Sequence, residues 1–89
     1  MNKISNNYSE IVVESFLPPS TAGRHGDVHI RPVEDQYPFL KEMFVECSKE
    51  LMNDYAVGTK FLIRAKITSR QGGKEFIYSS YKWPYTVLK

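Results

Sequence analysis

A chain of 89 residues carrying a net charge of +2 is one domain's worth of polypeptide, because single hydrophobic cores usually organise on the order of 100 to 150 residues. Its 42% hydrophobic and 13% aromatic content excludes a disordered chain, and its size excludes a deep, lidded active site around a large cofactor. The lone Cys47 excludes an internal disulfide; no apolar run approaches the roughly 18 residues of a membrane span, and the start MNKISNNYSE has no signal-peptide stretch. A cytoplasmic, reduced protein without membrane contact is expected.

Residues 1–8 are polar and aperiodic and read as a loose tail ahead of a single β domain over 9–89. Residues 10–17, EIVVESFL, are rich in β-branched and aromatic types and stop at Pro18-Pro19, which predicts a first strand. STAGRHG is a loop by composition. In residues 27–33, DVHIRPV, Val28 and Ile30 alternate with Asp27, His29 and Arg31, the period of a strand with one wet face, and Pro32 marks an edge or a strand end. Tyr37-Pro38, in the turn that follows, is a candidate cis bond. A third strand is predicted over 42–47, with Met43, Val45 and Cys47 on one face and Glu42, Phe44 and Glu46 on the other. SKELMNDY then reads as a helix of two or three turns, capped by Ser48, with Leu51, Met52 and Tyr55 toward the core.

The clearest local pattern is KFLIRAKITSR, where Phe61, Ile63, Ala65 and Ile67 alternate with Lys60, Arg64, Lys66, Thr68 and Arg70. Gly72-Gly73 reads as a two-residue type I′ turn, whose central residues both need positive φ. That turn sets Arg70 opposite Glu75, Ile67 opposite Tyr78, Lys66 opposite Ser79, Ala65 opposite Ser80 and Arg64 opposite Tyr81, and turns Tyr78 and Phe76 inward. YKWPYTVL adds a last segment after Trp83-Pro84. The fold class that results is mainly β: a small, strongly bent, five-stranded antiparallel barrel or sheet, oligonucleotide-binding-like, with one short helix between strands 3 and 4. No motif is specific enough to name a family.

Charge is divided along the chain. Residues 1–59 carry five basic and nine acidic residues, net −4, whereas residues 60–89 carry seven basic residues and only Glu75, net +6. The outward face of the hairpin gathers Lys60, Arg64, Lys66, Arg70 and Tyr81, with Lys74 at the turn and Lys82 and Trp83 beyond it. Cations at two-residue spacing can follow a phosphate backbone, and exposed aromatic rings can stack on unpaired bases. A single-stranded nucleic-acid partner is the leading expectation, with self-association or a protein partner, through complementary acidic and basic surfaces, as the alternative. A solvated strand face explains the same letters. His25, Asp27, His29 and Arg31 share a face if residues 25–31 are extended, a weak metal-binding pattern that an ordinary polar strand face also explains. Cys47 alternates with Met43 and Val45 as a buried apolar residue does, without an adjacent base. No Gly-flanked serine elbow or phosphate-cradling loop is present. Neither catalysis nor a cofactor nor a resident metal is expected.

Overall fold

The computed structural model describes residues 8–18, 28–69 and 72–88. Six strand segments and one helical turn follow in the order β1 (Ser9–Phe16), β2 (His29–Pro32), β3 (Val45–Glu46), α1 (Glu50–Asn53), β4 (Lys60–Ser69), β5 (Glu75–Tyr78) and β6 (Thr86–Leu88). They form one sheet in the order β2-β1-β4-β5-β3, with β6 also pairing β4, and the sheet curls nearly into a barrel. The helix lies between β3 and β4, as the sequence predicts. The sheet is mixed rather than wholly antiparallel, since β3 runs parallel to β5.

Alternation decides which residues enter the core. Ile11, Val13 and Ser15 of β1 and Phe61, Ile63 and Ala65 of β4 are buried, while the residues between them are half-buried or exposed. Val45, Leu51, Phe39 and Ile77 close the same core, with Met43, Cys47, Met52, Tyr55 and Tyr85 against its margin. Ser15 is buried without a loose hydroxyl: it accepts the Gly58 N–H at 3.0 Å and donates to the Ala56 carbonyl at 3.4 Å. Gln36 works as a surrogate strand residue. Its amide accepts from Val12 N–H at 2.7 Å and donates to the carbonyls of Val12 at 2.8 Å and Val33 at 3.0 Å. The Tyr37-Pro38 bond that follows is cis.

Three local expectations change. The third strand shrinks from 42–47 to Val45–Glu46, because the Met43 N–H turns back to the Leu40 carbonyl at 3.0 Å and holds the chain before it in a turn. The helix is a single turn. Ser48 Oγ accepts the Glu50 N–H at 3.2 Å, but after Asn53 the chain leaves the helix and the Tyr55 ring packs on Phe61 with centroids 5.2 Å apart.

The hairpin register is the third change. Ser69 pairs with Glu75, Thr68 with Phe76, Ile67 with Ile77 and Lys66 with Tyr78, one residue away from the diglycine prediction. Five residues, 70–74, therefore join the strands in place of two, and it is Gly72 that takes the positive φ, +73°. A two-residue type I′ loop needs that conformation at both central positions. Burial explains why the alternative register wins. Phe76 and Ile77 are both buried, so EFIY offers no alternation that distinguishes the faces. Ile77 enters the core, and Phe76 is on the outer face, its ring 6.4 Å from that of Phe44. Tyr78 accordingly faces outward, not inward.

Candidate nucleic-acid interface

The outer face of β4 carries Arg64, Lys66 and Thr68 because Phe61, Ile63 and Ala65 take the inner one. The strand is flanked by β1 along Lys60–Ala65 and by β5 along Lys66–Ser69, so these cations stand in the middle of the sheet. On the side of β5 the pairing stops at Tyr78 and resumes only at Thr86, opposite Leu62. Three residues of β4 thus face seven of its partner, and the surplus forms an excursion from Ser79 to Tyr85. The predicted pairs Ala65–Ser80 and Arg64–Tyr81 do not form for that reason. A turn in which Ser80 Oγ accepts the Lys82 N–H at 3.2 Å, and its carbonyl the Trp83 N–H at 3.1 Å, presents Tyr81 and Lys82 to solvent. Tyr81 is 71% exposed.

Trp83 folds back onto the sheet. Its ring meets Tyr8 edge to face at 4.7 Å and Tyr78 at 6.2 Å. The Arg64 guanidinium is 5.8 Å from the Trp83 ring and the Lys66 ammonium 5.1 Å from the Tyr8 ring. The result is a cluster of three rings and two cations. Each such cation–ring contact contributes about 0.5–1 kcal/mol at an exposed site, enough to orient a side chain without neutralising it. Sequence reading assigned Tyr8 to the tail and Tyr78 to the core, and so missed both. The signal for Tyr8 was its step of two from Glu10: with Ser9 opposite Ala65, the residue before it comes beside Lys66.

Among the described residues, the predicted cations divide. Lys60 is held 3.8 Å from Glu14, which also takes Arg31 at 2.8 Å, so Lys60 leaves the set of unpaired cations. Arg64, Lys66, Lys74 and Lys82 have no carboxylate within ion-pair distance among the described residues. Glu10 is opposite Arg64 in register, without an ion pair. Lys74 is exposed beside the hairpin turn, and Lys82 reaches over its neighbour Tyr81 at 5.8 Å. Arg70 lies outside the described residues, as do His25 and Asp27. His29 begins β2 exposed, its ring edge-on to Phe16 at 6.0 Å. No three His, Cys, Asp or Glu side chains among the described residues gather as a metal site would require.

Two other titratable groups have structural surroundings. Burial, with a smaller contribution from the Glu46 charge, pushes the Cys47 thiol up to about 11. The Tyr85 hydroxyl lies 2.9 Å from that of Tyr55 and donates to Glu50 at 3.0 Å; this shared hydrogen bond, then burial, then Glu50 raise its pKa. The chain of phenols ties the helical turn to the C-terminal segment. No described helix is long and apolar enough to cross a membrane. Comparison with known protein families, with curated proteins and with solved structures yields no match, so the geometry of the chain itself is what bears on its role.

Proposed function

We propose that this chain is a non-catalytic domain that binds single-stranded nucleic acid on the outer face of β4 and the Ser79–Tyr85 excursion. One observation carries the reading: Arg64 and Lys66, two residues apart in mid-sheet, keep clear of described carboxylates and lie against the rings of Trp83 and Tyr8. Cations at that spacing meet successive phosphates, and Lys74 and Lys82 extend the track on either side. Of the rings on this face Tyr81, 71% exposed, is the one open to a base, an interaction of about 1–3 kcal/mol. A nearly closed small barrel with its helix after β3 is compatible with the oligonucleotide-binding kind.

Trp83 is the chain's one tryptophan, so its emission reports on the site directly. Titration with oligothymidylate at several salt concentrations is expected to quench it, with affinity falling steeply as salt rises. Each phosphate contact to a single strand contributes about 0.7 to the slope of log affinity against log salt, so Arg64→Glu with Lys66→Glu lowers that slope by about 1.4. Charge reversal at Lys3 and Lys41 is expected to do much less, with Lys41 already 3.2 Å from Glu34. Equal losses for both pairs, with folding intact by circular dichroism, overturn the assignment. Concentration-dependent mass without nucleic acid would favour self-association in its place.

A further inference from the structure

The barrel is open at one seam. β2 and β3 end the sheet path, and between them lies a groove of about 780 Å³ whose walls include Phe16, Met43, Phe44 and Met52. The hydrogen bonds on either side show what the seam lacks. The Val33 N–H reaches the Val12 carbonyl at 3.1 Å, so alternate residues of β2 turn their main chain toward β1, and Ile30 turns its N–H and C=O the other way. In β3 the carbonyls of Phe44 and Glu46 accept from Ile77 and Ser79 at 2.8 Å each, which leaves the Val45 N–H and C=O facing away from β5. Ile30 and Val45 both line the groove, both are buried, and neither has a main-chain partner there among the described residues. Traced through β1, β4 and β5, the two edges run antiparallel to each other.

We propose that this groove takes an extended peptide segment of a partner protein, which adds as a strand between β2 and β3 and completes the barrel. Buried main-chain donors and acceptors call for partners, and two facing strand edges call for alternating N–H and C=O groups at strand spacing, the pattern a peptide carries. The room matches. A strand fills a slab about 4.8 Å wide and about 10 Å deep and rises about 3.3 Å per residue, roughly 160 Å³ each, so the groove accommodates about five residues. Phe44, 64% exposed, and the two adaptable methionines suit apolar side chains at alternate peptide positions. Charge does not single out phosphate here: of the lining cations Arg31 and Lys41 are engaged by Glu14 and Glu34, and Lys49 shares the groove wall with Glu42.

Phage-displayed random peptides of about nine residues, room for a strand of the usual five or six with flanking residues, selected on the full chain, provide the probe. Enriched sequences are expected to alternate apolar and polar residues. Titrated into isotope-labelled protein, the synthetic winner is expected to shift the Ile30 and Val45 amides and slow their hydrogen exchange at least about tenfold. N-methylation of the peptide at alternate residues removes its donors without touching the protein's fold, and is expected to weaken binding at least about tenfold. The proposal is overturned if nothing enriches, if the methylated peptide binds equally well, or if the shifts centre on Arg64 and Lys66. Displacement of the peptide by oligothymidylate would assign the groove to nucleic acid. Concentration-dependent protection of the same two amides in peptide-free protein would assign it to a second copy of the chain. Either result ends the peptide reading, while the salt-slope test of Arg64 and Lys66 decides the outer face of β4 separately.

Discussion

Replacing Ile77 by alanine tests the hairpin register, because the two registers one residue apart exchange the roles of Ile77 and Tyr78. Ile77 has no exposed surface and packs in the central cluster. Truncating a fully buried isoleucine removes its transfer free energy and leaves a cavity, at a cost of about 2–5 kcal/mol. Tyr78 is half-buried on the outer face, with its ring edge toward Trp83 at 6.2 Å. Its loss forfeits one aromatic pair, about 0.5–1.5 kcal/mol beyond partial burial. Against a total stability of about 5–15 kcal/mol, the first change removes a large fraction and the second a small one. At about 4–8 °C per kcal/mol for a domain of this size, Ile77→Ala is expected to lower Tm by roughly 8–40 °C. Urea unfolding followed by circular dichroism measures both variants. Ile77→Lys should fail to fold while Tyr78→Lys folds. If Tyr78→Ala proves the more damaging alanine substitution, the register described here is wrong and the faces of β5 are reversed.

Other substitutions probe separate features. Gln36→Ala is expected to lower stability by about 1–3 kcal/mol, read as a shift of the urea midpoint at constant slope, because it leaves Val12 N–H unsatisfied; Gln36→Glu falls in the same range, since a carboxylate cannot donate to the Val12 and Val33 carbonyls. Gly72→Ala places a side chain at φ +73°, where there is open space but an unfavourable backbone conformation, and is expected to cost about 1–2 kcal/mol by the same assay. The Cys47 thiol, raised from its ordinary 9.0 to about 11, holds far less thiolate at neutral pH, so iodoacetamide is expected to label the native chain roughly 100-fold more slowly than the urea-unfolded one. Because folding favours the protonated thiol, its contribution to stability is intact below pH 9 and declines as pH rises toward 11; Cys47→Ala should flatten that decline.

Much of the architecture follows from local pattern. The alternation in Phe61, Ile63 and Ala65 against Arg64 and Lys66 is a property of the chain, and it specifies both that β4 is a strand and which of its side chains face out, because successive residues of a strand point to opposite sides. Prolines at 18 and 32, β-branched residues in β1 and the apolar Leu51 of the helical turn likewise place their elements. What the tertiary structure decided is which neighbours those faces meet. EFIY is apolar at consecutive positions, so only packing against Val45 and Phe44 chose Ile77 for the core and sent Tyr78 outward. The Ser79–Tyr85 excursion, the joining of Tyr8 to Trp83, the pairing of Lys60 with Glu14 and the open seam between β2 and β3 all depend on residues far apart in sequence. Periodicity reports the side of a strand a residue occupies; contact across the sheet, which is non-local, determines what stands beside it.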